Sequence, residues 1–137
     1  MRLTSLADYA VVMLTAAARH QDEGWLSASA MAEETGVPLA TAQRLSGRLA
    51  AAGLLRSTRG SEGGFALARA AAEISLADII EAVEGPIAMT SCVDAERHDC
   101  ALEGGCQVRP HMGVVNGAVR GALAAVSLSS LATGARA

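Results

Sequence analysis

The sequence predicts a mainly α-helical fold: a succession of short helices, one two-stranded hairpin and a long C-terminal helix. Three observations predict it. Only 2% of the 137 residues are aromatic while 51% are hydrophobic, so the core must be built from Ala, Leu, Val, Ile and Met rather than from the aromatic and β-branched strands of a sandwich or barrel. Apolar residues recur at steps of three and four along most of the chain, the period of helices with one buried face. Between residues 54 and 68 that period gives way to two short runs around a glycine-rich turn, the pattern of a hairpin. The length suits one compact domain with a dimerisation element and argues against the large enzyme folds.

The elements follow in order. Leu6, Ala10, Met13, Leu14 and Ala17 form the apolar stripe of a first helix from Ser5 to about Arg19, with Ser5 as N-cap. Gly24 ends the connection, and Trp25-Leu26 reads as a short extended piece. Ser27 caps a second helix through Met31 and Ala32 to Thr35, and Gly36 stops it. Pro38 stands at the first position of a third helix, where its missing N–H costs nothing. That helix runs through Ala42, Leu45, Leu49 and Ala52 to Gly53. Two helices joined by a short Gly-containing turn make a helix-turn-helix. Residues 54–58, the turn 59–64 and the return 65–68 then form a wing, so the fold class is a winged helix-turn-helix with a two-stranded wing.

Ser75-Leu76-Ala77-Asp78 has the form of a capping box. Leu76, Ile79, Ile80 and Val83 continue it as a fourth helix that ends at Gly85-Pro86. Residues 86–109 show no apolar period and read as a loop. Pro110 opens the long last helix, whose Met112, Val115, Val119, Ala122 and Val126 make a seam suited to pairing with a second subunit. The small Gly113, Gly117, Ala118, Gly121 and Ala125 permit close approach. The chain thus divides into a DNA-binding winged helix-turn-helix (1–85), a cysteine-rich loop (86–109) and a dimerisation helix with its tail (110–137).

The formal net charge is −3, yet its distribution is uneven. Residues 37–70 carry Arg44, Arg48, Arg56, Arg59 and Arg69 against Glu62 alone, a balance of +4, whereas residues 71–106 carry eight acids against Arg97, a balance of −7. A local arginine cluster can hold phosphates on a protein that is acidic overall. In a helix-turn-helix the second helix enters the major groove. The side chains left outside its core stripe are Leu39, Thr41, Gln43, Arg44 and Arg48. Gln suits adenine and Arg suits guanine, while Arg59 and Ser61 on the wing would reach the minor groove or phosphates. No apolar run approaches the roughly 18 residues that cross a bilayer, and Met1-Arg2-Leu3-Thr4 lacks the apolar core of a signal peptide. The chain is expected in the cytoplasm, away from membranes.

Cys92, Cys100 and Cys106 lie in one segment with spacings of seven and five intervening residues. A reducing compartment disfavours a structural disulfide there. None of the spacings is the two-residue gap of a zinc knuckle, whereas thiolates spread along a loop can wrap an iron-sulfur cluster. A fourth ligand must come from elsewhere: His98 and His111 are nearby nitrogen donors and Asp8 a distant oxygen donor. A thiol-redox or zinc-dependent repressor is the competing reading. A small redox enzyme would need a placed His partner for its cysteine, which the sequence does not display.

Met1-Arg2-Leu3-Thr4, Asp8-Tyr9-Ala10-Val11, Ala52-Gly53-Leu54-Leu55, Arg59-Gly60 followed by Gly63-Gly64-Phe65-Ala66-Leu67-Ala68, Glu73-Ile74-Ser75 and the three cysteines closely resemble the IscR/NsrR family of bacterial iron-sulfur transcription regulators. Leu6, Asp8-Tyr9, the stretch Ile80–Ala88 and Val126-Ser127-Leu128 look most like the branch that regulates the SUF cluster-assembly operon. The resemblance implies a homodimer on a palindromic double-stranded operator and a 2Fe-2S or 4Fe-4S cluster held by Cys92, Cys100 and Cys106. Where the cluster-biogenesis regulator has a His after the third cysteine, with two residues between, this chain has Arg109. The nitric-oxide-sensing branch uses an N-terminal Asp from the other subunit, which corresponds to Asp8, so the resemblance favours Asp8 over His111 and His98. Gln43 replaces a Glu of the biogenesis regulator, so a cluster-dependent switch in sequence preference is not carried over.

Overall fold

A computed structural model describes residues 2–59, 63–94, 101 and 103–134, with the backbone alone at Glu103. Ser61, His98 and Cys100 lie outside the described residues. The chain runs through α1 (Ser5–Arg19), α2 (Ala28–Thr35), α3 (Leu39–Ala51), β1 (Leu55–Thr58), β2 (Gly64–Leu67), α4 (Leu76–Glu84), α5 (Arg109–Ala124) and α6 (Leu128–Ala132). Single 3-10 turns lie at Ala71–Glu73, Ser91–Val93 and Glu103–Gly105. The last two interrupt the segment that reads from sequence as plain loop.

The helix boundaries show local chemistry at work. Ser27 caps α2 by accepting the Ala30 N–H, and Gly36 closes it in the left-handed region at φ 82°, where a side chain would be strained. Ser75 and Asp78 form the full capping box of α4. Two caps differ from the sequence reading. Thr4, not Ser5, is the N-cap of α1: it holds the extended conformation and its hydroxyl accepts the Ala7 N–H. Pro38 is likewise the N-cap of α3 rather than its first helical residue, because its ψ of 138° is extended.

The core gathers Met13 and Leu14 of α1, Met31 of α2, Leu45 and Leu49 of α3, Leu54 and Leu55 at the wing, Ile74, Ile79 of α4 and Leu128 of α6. Burying side chains of this size contributes about 1.5–3 kcal/mol each. The apolar period alone does not separate α6 from the long helix before it. Residues 125–127 break the helix, Ser127 caps α6 through the Ser130 N–H, and the break is pinned to the start of α4 by Leu76 N–H to Val126 O at 3.0 Å and Leu128 N–H to Ile74 O at 2.8 Å. Leu128 therefore belongs to the winged-helix core.

β1 and β2 pair antiparallel, with Leu55 opposite Leu67 and Thr58 opposite Gly64. Leu26 extends this hairpin by exchanging hydrogen bonds with Phe65, at 2.9 and 2.8 Å. The extended piece at Trp25-Leu26 thus anchors the wing to the start of α2.

His20, the C-cap of α1, ties α1 to the helix-turn-helix. Its Nδ1 lies 2.5 Å from Glu23 Oε2 and its Nε2 2.9 Å from Glu34 Oε2 on α2. The bond to Glu23, then that to Glu34, raises the imidazole above its ordinary 6.5. A raised folded value adds stability that is complete below pH 6.5 and fades as pH rises through the folded value. The stability difference between the wild type and His20→Gln should be greatest in mild acid and vanish in mild alkali, as read by urea midpoints across that range. A difference that grows with pH would refute the tie.

Candidate functional site

α2, the turn at Gly36 and α3 form the helix-turn-helix, and α3 packs against β1, so the helix and the wing stand side by side. Ala42, Leu45 and Leu49 face the core. This leaves Leu39, Gln43, Arg44 and Arg48 exposed and Thr41 half-buried. Arg59 is exposed just past the end of β1. The five arginines of the basic segment are not equivalent. Arg56 lies with its guanidinium carbon 5.4 Å from the Trp25 ring centroid and its Nε 3.4 Å from Leu67 O, an internal cation–π contact. Arg69 donates to Glu73 O at 2.6 Å. All five are exposed, and Arg44, Arg48 and Arg59 are the three that these contacts do not engage.

Cys92 lies in the turn Ser91–Val93 with only 8% of its surface exposed, its Sγ 3.0 Å from Thr90 Oγ1. Cys106 is half-buried, three residues ahead of α5, and both thiols are free of disulfides. The turn bearing Cys92 packs on α5. Asp8 is exposed in the first turn of α1, and His111 is exposed in the first turn of α5. Among the described residues, no three His, Cys, Asp or Glu side chains converge as a metal site. The structure therefore does not bring Asp8 or His111 together with the two described cysteines in one chain. Unpaired thiols on one short segment are nevertheless donors of the type that iron-sulfur clusters take.

α5 buries none of its residues completely. The predicted seam divides: Met112, Val119 and Val126 are half-buried against the same chain, whereas Val115 and Ala122 are exposed. The 3.6-residue period explains this, because Met112, Asn116, Val119 and Leu123 share the side toward α4 and the others rotate away from it. Val114, 74% exposed, and Ala118 continue the exposed apolar side.

Sequence reasoning missed Asn116, Glu81 and Arg120. Arg120 Nη2 lies 2.7 Å from Glu81 Oε1, joining α5 to α4. The hydrogen bond from Arg120, helped by the Ile87 N–H and opposed by burial, lowers the Glu81 carboxyl below its ordinary value. The one signal for Asn116 was its place as the polar member of an otherwise apolar helical stripe.

A helix-turn-helix with a hairpin wing and outward arginines defines a winged-helix DNA-binding transcription regulator, not an enzyme. The chain belongs to the Rrf2 family of iron-dependent transcriptional regulators, which its residues 3–134 match. It is 33% identical over 131 residues to the HTH-type transcriptional regulator IscR of Photorhabdus laumondii subsp. laumondii, covering 96% of this chain and 79% of that protein. It is 38% identical over 96 residues to IscR of Xenorhabdus nematophila, covering 70% of this chain and 58% of that protein. Among solved structures, CymR, the global cysteine regulator of B. subtilis, superposes with a TM-score of 0.77 at 24% identity over 99% of both chains. T. potens IscR gives 0.76 at 24% identity over 99% of this chain and 89% of its own. At these identities the two structures establish the shared fold. No helix among the described residues is long and apolar enough to cross a membrane.

Proposed function

We propose that the protein is an iron-sulfur cluster-sensing repressor of cluster-assembly genes that binds a palindromic operator as a homodimer. One observation carries this reading: Cys92 and Cys106 are both free thiols, Cys106 three residues ahead of α5 and Cys92 in a turn that packs on that helix. Cys92, Cys100 and Cys106 would hold the cluster, with Asp8 of the partner protomer as the favoured fourth ligand. When bound, the cluster supplies thiolate–iron bonds that iron limitation, oxidants or nitric oxide can remove.

The chain's own residues supply the rest. The exposed apolar side of α5, with Val114, Val115, Ala118 and Ala122, pairs with the same helix of a second copy. Gly113, Gly117 and Gly121 leave open space where side chains would stand, which permits a close helix crossing. Pairing sets the separation of the two α3 helices, and half-sites lie about one helical turn of DNA apart. Leu39, Thr41, Gln43, Arg44 and Arg48 would read the major groove, with Arg59 and Ser61 on the flanking backbone or minor groove. Cluster and operator are then linked ligands, each changing the affinity for the other by one factor.

The test is anaerobic purification with visible absorption and iron and sulfide assays on wild type and Cys100→Ala. A brown wild type and a colourless variant of unchanged helix content support the reading. A colourless, iron-free wild type overturns it. Stoichiometric zinc, or reversible thiol oxidation that alters DNA binding, would instead establish the zinc-dependent or thiol-redox repressor.

A further inference from the structure

The backbone just ahead of Cys92 is held by side chains rather than by a sheet or helix. Asn116 Nδ2 donates to Ile87 O at 2.9 Å, and Asn116 Oδ1 accepts the Met89 N–H at 2.7 Å. The amide thus satisfies a carbonyl and an N–H two residues apart, as a neighbouring strand would. From the other side, Glu81 Oε2 on α4 accepts the Ile87 N–H at 2.9 Å. Arg120, one turn beyond Asn116, fixes that carboxylate through bonds of 2.7 and 3.3 Å. Three residues past Met89 comes the buried Cys92.

Asn116 interrupts a half-buried stripe otherwise made of Met112, Val119 and Leu123. A Leu at this place would bury more apolar surface, so the amide's contribution is directional. Two hydrogen bonds fix where residues 87 and 89 lie along α5. We propose that Asn116 is a positioning residue that sets the register of the Cys92 segment on α5, so that a change in what grips Cys92 is transmitted to the helix that spaces the two DNA readers. The transmission step rests on the cluster-sensing reading; the register itself does not.

The experiment compares Asn116→Leu, which removes both bonds at similar size, with Asn116→Asp, which keeps only the acceptor for Met89. In reduced, metal-free protein, alkylation of Cys92 by iodoacetamide is followed by mass spectrometry, with Cys106 as internal reference. Loss of two hydrogen bonds should speed Cys92 labelling about tenfold in Asn116→Leu, with an intermediate effect in Asn116→Asp, while Cys106 is unchanged. The ratio of operator affinities with and without reconstituted cluster should fall toward one in Asn116→Leu, while the metal-free affinity stays within about twofold.

Unchanged Cys92 labelling, or equal acceleration at Cys106, overturns the positioning role. A cluster-dependent affinity ratio equal to that of wild type overturns the transmission step. If Asn116→Leu does not fold, Asn116→Asp and Glu81→Gln carry the same comparison. A wild type that binds no cluster, or whose affinity ratio is already one, sinks the cluster-sensing reading and the transmission step with it, while the labelling result still decides the register.

Discussion

Replacing Arg44 and Arg48 together by Ala is expected to weaken operator binding by about a hundredfold or more, because each arginine bound to a base or phosphate is worth roughly 1–3 kcal/mol. The two residues stand four apart, one above the other on the exposed side of α3. Neither contributes to the Ala42, Leu45 and Leu49 face that holds the helix in the core. The unfolding midpoint should therefore hardly move, as exposed substitutions commonly stay within about 0.5 kcal/mol. Salt separates a phosphate role from a base-reading role: the slope of log affinity against log salt falls by about one for every phosphate no longer neutralised. Arg56→Ala is the contrast. Its guanidinium lies over Trp25, so its removal should lower stability and leave the salt slope nearly unchanged. A double Ala variant with wild-type affinity and salt slope would remove α3 from the reading surface.

The wing and the helix-turn-helix were legible because their signals are local. Ser27, Gly36, Ser75 with Asp78, and Gly85 each fix a boundary through their own side chain or their own backbone freedom. The competition between Thr4 and Ser5 was not decidable this way, since adjacent hydroxyls can each cap and only the backbone angles choose. The basic segment illustrates a second limit. Charge counting treats Arg44 and Arg56 alike, but Arg56, itself exposed, is engaged by an indole that lies 31 residues earlier in the chain. The α5 seam shows a third. Its apolar residues cover more than one side of the helix, and which side meets the same chain depends on where α4 lies. For the proposed cluster, the donors are readable as residue types, whereas their convergence would depend on folded segments and, on that proposal, on a second copy. Asp8 and Cys92 lie 84 positions apart in one chain, and no helical or strand period relates them.

Gly64→Ala should destabilise the protein by about 2–3 kcal/mol, by overpacking against fixed backbone and disruption of paired hydrogen bonds, and lower the melting temperature by roughly 10 °C. The cause is not conformational, because Gly64 is not among the positive-φ glycines. An added Cβ would stand 2.8 Å from both the carbonyl carbon and oxygen of Leu26 and 3.0 Å from Ser27 N. These are backbone atoms, so no rotamer change relieves the clash. Relief requires Leu26 to part from Phe65, with which it exchanges two hydrogen bonds. It also displaces Ser27, whose hydroxyl caps α2. One methyl group thereby loosens the wing and the first helix of the helix-turn-helix together. Gly47→Ala supplies the opposite sign. A Cβ there meets nothing within 4 Å, and replacing Gly by Ala inside a helix stabilises it by up to about 1 kcal/mol. Thermal unfolding of the two variants should thus move in opposite directions. Equal midpoints would show that the wing is not seated on Leu26 as the backbone distances require.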